Sequence, residues 1–142
     1  MVKKFNKKFK FIDESYNANP LSMKSAIENF KKFKRQKNEK KIVLLGDMLE
    51  LGKNSKKLHK KLSTELNNSD IDKVFVYGKY IKETFNSLVT KKRGKVFNNL
   101  GEAEKNISKI IRNNDLLMIK GSNATGLNNL SKNIKRVQIN AI

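Results

Sequence analysis

The sequence contains the run Ile42-Val43-Leu44-Leu45-Gly46-Asp47, in which four consecutive apolar residues end at a glycine and an acid. Similar apolar runs occur at Val74-Phe75-Val76-Tyr77 and Leu116-Leu117-Met118-Ile119, with weaker ones at Phe9-Lys10-Phe11-Ile12 and Val96-Phe97. Continuous rather than alternating apolar residues are typical of parallel strands that are covered on both faces. These runs therefore predict a mostly parallel sheet of five to six strands.

The segments between these runs carry apolar residues at helical spacing. Their apolar faces are Met23, Ala26, Ile27, Phe30 and Phe33; Leu58, Leu62 and Leu66; Ile81, Phe85 and Leu88; Ala103, Ile107, Ile110 and Ile111; and Leu127, Leu130 and Ile134. Strands that alternate with helices predict an α/β fold, Rossmann-like and doubly wound, with helices on both faces of the sheet. The segment Arg136–Ile142 is a candidate for a last, antiparallel edge strand.

The 142 residues are enough for one hydrophobic core, and no Pro- or Gly-rich linker divides them. We predict a single domain over residues 1–142. Residues 1–8 are strongly basic, and we interpret them as a lead-in that is a candidate for a former interdomain linker.

Composition excludes several classes of protein. The absence of Cys excludes disulfides and thiolate metal sites, and the one histidine, His59, cannot form a His-based zinc site alone. The apolar runs are too short to span a bilayer, and no apolar segment follows the basic N-terminus as in a secretory signal. We therefore expect a cytoplasmic protein without a membrane partner.

The charge is strongly positive, because 32 Lys and Arg oppose 13 Asp and Glu to give a formal net charge of +19. Such a charge can bind nucleic acid through phosphate neutralisation. However, only four of the 32 cations are Arg, the residue that favours bidentate phosphate and base contacts, and 19 Asn accompany the lysines. We therefore interpret the charge as a Lys- and Asn-rich surface and do not expect nucleic acid as a partner.

Polar loops follow three of the predicted strands, at the edge of the sheet where α/β proteins bind ligands. One of them, from Gly46 to Lys53, has the position of a phosphate-binding loop but not its spacing. Five residues separate Gly46 from Gly52, and Asn54 follows Lys53, whereas the phosphate loop needs four residues and then Ser or Thr after the Lys. Each loop taken singly is also compatible with an ordinary capped turn.

Taken together, the three loops resemble the C-terminal domain of the Mur ligases that add D-alanyl-D-alanine. The three blocks that carry the resemblance are Ile12-Asp13-Glu14-Ser15-Tyr16-Asn17-Ala18-Asn19-Pro20-Leu21-Ser22-Met23; Leu45-Gly46-Asp47-Met48-Leu49-Glu50-Leu51-Gly52 with Ser55, Leu58 and His59; and Ile119-Lys120-Gly121-Ser122. The similarity runs from about Phe9 to Leu130, nearly the whole chain.

The resemblance implies a part in UDP-N-acetylmuramoyl-tripeptide:D-alanyl-D-alanine ligase, an enzyme of peptidoglycan synthesis with three domains. In this family ATP phosphorylates the tripeptide carboxylate, and the dipeptide amine then attacks the acyl phosphate to form an amide. The resemblance implies that other domains hold the UDP-sugar peptide, the ATP phosphates and Mg²⁺, and that this domain closes over them. It therefore implies partners ATP and D-alanyl-D-alanine, no catalytic or metal-binding residue in this domain, and no ligase activity for the domain alone.

The first block supplies the candidate ATP-binding residues. Asp13 and Glu14 can accept hydrogen bonds from ribose hydroxyls, and the choice between them stays open. Tyr16 can stack on adenine, while the amides of Asn17 and Asn19 can donate and accept hydrogen bonds, unless Asn19 only caps its helix. The family usually has Asp at the position of Glu14.

The other two blocks supply the candidate dipeptide-binding residues. Asp47 and Glu50 can attract the ammonium group of the dipeptide, and Lys120, Ser122 and Asn123 can hold its carboxylate. Many family members have Arg at the position of Asn123, so this chain lacks that fixed charge. His59 lies near the start of the second helix, either as a partly exposed helix residue or in a functional role. The alternative to the ligase hypothesis is a free-standing basic α/β module that binds nucleic acid or a small ligand.

Overall fold

The computed structural model describes residues 2–140 of the chain. Its six strands are β1 (Val2–Lys4), β2 (Lys7–Glu14), β3 (Lys41–Gly46), β4 (Lys73–Tyr77), β5 (Arg93–Phe97) and β6 (Leu116–Lys120). Its five α-helices are α1 (Pro20–Lys31), α2 (Ser55–Asn67), α3 (Lys82–Asn86), α4 (Leu100–Ile110) and α5 (Leu127–Asn140).

The strands form one sheet in the order β1-β2-β6-β3-β4-β5. All neighbours from β2 to β5 are parallel, and only β1 is antiparallel. A helix follows each of the five parallel strands, and β6 returns to lie between β2 and β3. The predicted α/β, mostly parallel, doubly wound fold is confirmed.

Two hydrophobic cores lie on the two faces of the sheet, because alternate strand residues point to opposite sides. Helices α1, α2 and α3 cover one face, where Val43, Leu45, Val74, Val76, Leu116 and Met118 are buried. Helices α4 and α5 cover the other face, where Ile42, Leu44, Phe75, Phe97, Leu117 and Ile119 are buried. Covered on both faces, β3 is buried along its whole length, as its continuous apolar run predicts.

The basic residues at the start of the chain contribute to the sheet. β1 pairs with the first half of β2, with Val2 opposite Phe9, and both side chains are buried. The connecting residues Phe5 and Asn6 both have positive φ, as a two-residue turn between antiparallel strands requires.

The edge strand expected over residues 136–142 is not found in the described part of that segment, residues 136–140. Residues 136–140 form the last part of α5, and residues 141 and 142 lie outside the described part of the chain. The helix continues because no glycine or proline interrupts it after its buried face of Leu127, Leu130 and Ile134. None of the helices in residues 2–140 is both long and apolar enough to cross a membrane.

Candidate functional site

The three predicted loops lie side by side at the carboxyl edge of the sheet, because β6 is between β2 and β3. Lys120 is in register with Glu14 on one side and with Leu45 on the other. After β6, the Ser122 amide donates to the Asp47 carbonyl at 3.3 Å, and the Ser122 hydroxyl lies 3.5 Å from the Ala18 carbonyl. These contacts connect all three sequence blocks at one edge.

Two glycines allow the ends of β3 and β6 to approach each other and α5. A Cβ atom on Gly46 would lie 2.6 Å from Leu127 Cδ1, and one on Gly121 would lie 2.8 Å from the same methyl group and 3.3 Å from Gly46 Cα. The buried Leu127 therefore fills the space that side chains at these two positions would need.

The carboxylate of Asp13 is surrounded by donors. Its Oδ1 accepts hydrogen bonds from the Ser15 amide at 3.0 Å and from the Ser15 hydroxyl. Its Oδ2 accepts from the Tyr16 hydroxyl at 3.1 Å and from Lys135 Nζ at 2.6 Å. Burial raises the pKa of Asp13, but the hydrogen bonds from Lys135, Ser15 and Tyr16 outweigh this effect, so the pKa lies below its ordinary value. Asp13 is therefore an ionised, internally satisfied group.

Glu14 is the more open of the two acids. Its side chain is 47% exposed, and its only ion pair among the described residues is a long one, 3.8 Å to Lys120 Nζ. The Lys120 ammonium is itself buried and donates to the Asn17 carbonyl at 2.7 Å. Burial lowers the pKa of Lys120, and the Glu14 carboxylate partly offsets that effect. The structure thus brings Lys120 next to the candidate ATP-binding residues Glu14 and Asn17.

The remaining residues of the first block differ in their freedom to bind a ligand. The Tyr16 ring is 56% exposed, although its hydroxyl is held by Asp13. The exposed side chain of Asn17 makes no hydrogen bond to any described residue. Asn19 instead caps α1: its Oδ1 accepts from the Ser22 amide at 2.8 Å, while the Ser22 hydroxyl accepts from the Asn19 amide at 2.9 Å. The capping role considered for Asn19 is therefore present.

Asp47 binds the adjacent β4–α3 loop. Its carboxylate is buried and accepts hydrogen bonds from three consecutive backbone amides, those of Lys79 at 3.0 Å, Tyr80 at 2.9 Å and Ile81 at 2.8 Å. Gly78, with a φ of 145°, passes so close that a Cβ there would lie 2.5 Å from Asp47 Oδ1. Asp47 thus has a full set of internal partners, whereas Glu50 in the same loop is exposed.

His59 is fully buried, which corrects the expectation of a partly exposed helix residue. Its Nε2 accepts a hydrogen bond from the Met48 amide at 2.9 Å, so Nδ1 carries the proton and donates to the Ser55 carbonyl at 2.7 Å. The ring also packs 5.8 Å from the Tyr80 ring. His59 therefore connects α2 to the β3–α2 loop, which holds Asp47 and Glu50.

The third block places Ser122 and Asn123 at the start of a short 3₁₀ turn. Ser122 is half-buried, and Asn123 is exposed. The Thr125 hydroxyl donates to the Ser122 carbonyl at 2.7 Å and closes the turn. No hydrogen bond or ion pair within residues 2–140 joins Glu50 to Lys120, Ser122 or Asn123. The candidate dipeptide residues therefore share an edge without forming one connected cluster.

Lys135 is a member of this site that no motif in the sequence indicates. It lies on α5, more than a hundred residues from Asp13, and it is one of 28 lysines. The pKa of Lys135 is raised by its hydrogen bonds to Asp13 and Tyr16. In the described part of the chain, no three His, Asp or Glu side chains are grouped closely enough to hold a metal ion.

The sequence matches known proteins along most of its length. The model of the family described as Mur ligase, glutamate ligase domain, matches residues 1–123. The UDP-N-acetylmuramoyl-tripeptide–D-alanyl-D-alanine ligase of Rickettsia prowazekii is 34% identical over 119 residues, 84% of this chain and 26% of the relative. The ligase of the same name from Buchnera aphidicola (subspecies Baizongia pistaciae) is 35% identical over 116 residues, 82% of this chain and 24% of the relative. The chain thus spans about a quarter of the length of these two relatives.

Solved structures show the same fold. The MurF ligase of Thermotoga maritima, solved in complex with ADP, superimposes with a TM-score of 0.74 at 22% identity over 100% of this chain and 32% of that chain. The MurF structure from Acinetobacter baumannii has a TM-score of 0.71 at 26% identity and covers 89% of this chain and 27% of its own. These findings do not favour the free-standing nucleic-acid-binding or small-ligand-binding module. They confirm the resemblance carried by the three loops, and the chain belongs to the Mur ligase family, as a glutamate ligase domain.

Proposed function

We propose that this chain acts as the C-terminal domain of an ATP-dependent ligase that joins D-alanyl-D-alanine to UDP-N-acetylmuramoyl-tripeptide in the cytoplasm. The observation that carries the proposal is that the three sequence blocks meet at one edge of the sheet. There, polar side chains that are exposed lie beside polar side chains whose hydrogen bonds are already made within the chain. Relatives named for this activity align with 82 to 84% of the chain.

Within the ATP subsite, the contacts favour Glu14 over Asp13 as the ribose ligand. A carboxylate offers about four lone-pair positions, and Asp13 already accepts four hydrogen bonds. Glu14 has a half-exposed carboxylate with room for two hydroxyl donors. We assign the exposed face of Tyr16 to the adenine and the free amide of Asn17 to a polar atom of the nucleotide, whereas Asn19 keeps α1 in place.

For the dipeptide, the open acid is Glu50, which can attract the ammonium group. We assign Asp47 an indirect role: its carboxylate oxygens already accept hydrogen bonds from three backbone amides, and it therefore holds the β4–α3 loop in place instead of binding the dipeptide. Ser122 and Asn123 remain the candidates for direct contact with the dipeptide carboxylate, as neutral donors, whereas Lys120, which is buried and already donates to the Asn17 carbonyl, contributes through its charge. The phosphates of ATP and Mg²⁺ are proposed to be held by other domains of the ligase.

The proposal is tested in a chimaera in which this chain replaces the corresponding C-terminal segment of the Rickettsia prowazekii relative. ADP release is measured with UDP-N-acetylmuramoyl-tripeptide, in the presence and absence of D-alanyl-D-alanine. We expect dipeptide-dependent ADP release from the chimaera and none from the 142-residue chain alone. An inactive chimaera that is folded and monodisperse contradicts the proposed function.

The residue assignments are tested by alanine variants of that chimaera. Glu14→Ala and Asn17→Ala should raise the KM for ATP about tenfold, the effect of losing about 1.4 kcal/mol of binding, with a smaller effect on the KM for the dipeptide. Glu50→Ala should raise the KM for the dipeptide. Glu104→Ala is the control, because Glu104 is only partly exposed, makes no hydrogen bond or ion pair to any described residue, and lies on α4, which covers the face of the sheet opposite α1. If neither Glu14→Ala nor Asn17→Ala changes the KM for ATP, that result would falsify the assignment of these residues to ATP.

A further inference from the structure

The ammonium group of Lys135 joins the last helix to the β2–α1 loop. Its Nζ lies 2.6 Å from Asp13 Oδ2 and 3.3 Å from the Tyr16 hydroxyl, and 5.8 Å from the centre of the Tyr16 ring. The neighbouring residue Ile134 is fully buried, so the backbone at Lys135 is anchored to the core. Lys135 lies beyond residue 123, where the match to the family model ends.

Lys135 completes the set of partners that fixes Tyr16. The Tyr16 hydroxyl donates to Asp13 and accepts from Lys135, so the outer end of the ring is held on two sides. The ring is nevertheless 56% exposed. An exposed tyrosine ordinarily samples several rotamers, and fixing it on binding costs entropy. A ring that is already fixed presents a stacking surface without that cost.

The ammonium group of Lys135 is engaged mainly within the chain. Its short ion pair with Asp13 and its contact with the Tyr16 hydroxyl use two of its three donors. Its removal would also leave Asp13 with one unmade hydrogen bond beside the loop. These contacts indicate a role that acts through Asp13 and Tyr16.

We propose that Lys135 is a positioning residue of the nucleotide subsite, which holds Asp13 and the Tyr16 hydroxyl so that the exposed face of the Tyr16 ring is presented to an adenine base. The inference rests on the proposed function, because that function places ATP at this edge. The fifth helix thereby becomes part of the ligand site rather than only a cover for the sheet.

The first test measures the order of Tyr16 in the 142-residue chain. The chain has three tyrosines and no tryptophan, so labelling with 3-fluorotyrosine gives three ¹⁹F resonances, and Tyr16→Phe identifies the one from Tyr16. Lys135→Met should shift and sharpen that resonance, because the ring becomes mobile, while the Tyr77 and Tyr80 resonances report that the fold is intact. Lys135→Arg should keep the wild-type chemical shift and linewidth of the Tyr16 resonance. Lys132→Met is the matched control, since Lys132 is exposed on the same helix and makes no ion pair or hydrogen bond among the described residues. An unchanged Tyr16 resonance in Lys135→Met overturns the proposal.

The second test measures nucleotide use in the ligase chimaera. Lys135→Met should raise the KM for ATP about five- to tenfold with a smaller change in kcat, and Lys135→Arg should restore most of the loss. Equal KM values for Lys135→Met and Lys132→Met in an active chimaera overturn the positioning role and leave the proposed function standing. A chimaera that is folded but inactive instead contradicts the proposed function, and it also overturns the nucleotide role of Lys135, which rests on that function.

Discussion

At the scale of single residues, Asp47 shows how a candidate ligand can be a structural group. Its buried carboxylate accepts hydrogen bonds from three backbone amides of the β4–α3 loop, and those amides make no other hydrogen bond to the described residues. Asp47→Asn replaces one acceptor oxygen with an NH₂ group that faces an amide donor. We expect the free energy of unfolding to fall by about 2 to 4 kcal/mol, since buried donors lose a charged acceptor.

Urea denaturation followed by circular dichroism measures this loss. Glu50→Gln is the control, because Glu50 is an exposed acid three residues away in the same loop and should change the free energy of unfolding by less than about 0.5 kcal/mol. Equal stabilities for the two variants would show that the carboxylate of Asp47 does not hold the β4–α3 loop.

The pH dependence of stability follows from Asp13. Folding lowers the pKa of Asp13 from its ordinary value of 3.8, because the hydrogen bonds from Lys135, Ser15 and Tyr16 outweigh the opposing effect of burial. A carboxyl whose pKa is lowered stabilises the folded state above pH 3.8, and this contribution disappears as the pH falls through the folded pKa. Wild type should therefore exceed Asp13→Asn in stability near neutral pH, and the difference should shrink as the pH falls below 3.8. Urea unfolding at a series of pH values tests this, and a difference that stays constant would contradict it.

At the scale of secondary-structure elements, the start of α1 separates two asparagines that the sequence alone treats alike. Asn19 and Ser22 form a reciprocal cap on α1, whereas the Asn17 side chain is free. Asn19→Ala should lower the free energy of unfolding by about 1 kcal/mol, as for other N-cap substitutions. Asn17→Ala should change stability by less than about 0.5 kcal/mol.

The two variants should show the reverse order in ATP kinetics of the ligase chimaera. Asn17→Ala should raise the KM for ATP, and Asn19→Ala should affect it less at temperatures where the variant remains folded. A thermal melt of the 142-residue chain and an ATP titration of the chimaera measure the two effects. If Asn17→Ala destabilises the chain more than Asn19→Ala does, the assignment of Asn19 as the helix cap and Asn17 as the ligand residue is wrong.

The strands and helices could be predicted from the local pattern of apolar residues, and the one wrongly predicted segment also has a local cause. Each of the three continuous apolar runs is a central strand, and each periodic segment is a helix. The prediction failed at residues 136–140, where a few apolar residues near the C-terminus fit a strand as well as a helix. Only the continuity of α5 from Leu127 decides between them.

At the scale of the whole molecule, the site could be predicted in position but not in its internal contacts. The strand–loop–helix order places Asp13, Asp47 and Lys120 at one edge, because the carboxyl ends of parallel strands coincide there. Asp13 has near partners in Ser15 and Tyr16, but other partners of these residues come from distant segments: Asp47 binds amides 32 to 34 residues away, and Lys135 is 122 residues from Asp13. No periodicity or spacing encodes such pairs, since they depend on how the helices pack on the sheet.

The same edge also carries exposed apolar side chains, which isolated soluble domains seldom group together. The large apolar residues that are exposed there are Tyr16 in the β2–α1 loop, Leu21 in the first turn of α1, Leu49 in the β3–α2 loop and Tyr80 in the β4–α3 loop. If this chain closes over the other domains of a ligase, these side chains become buried on closure. Leu21→Ser with Leu49→Ser should lower the free energy of unfolding of the 142-residue chain by no more than about 1 kcal/mol, because Leu21 is 74% exposed and Leu49 is 36% exposed. In the chimaera the same double variant should lower kcat/KM several-fold.

Phe33→Ser with Val89→Ser is the control, because these exposed residues lie near the ends of α1 and α3, away from the site. Equal activities of the two double variants in the chimaera would show that the carboxyl edge does not contact the other domains.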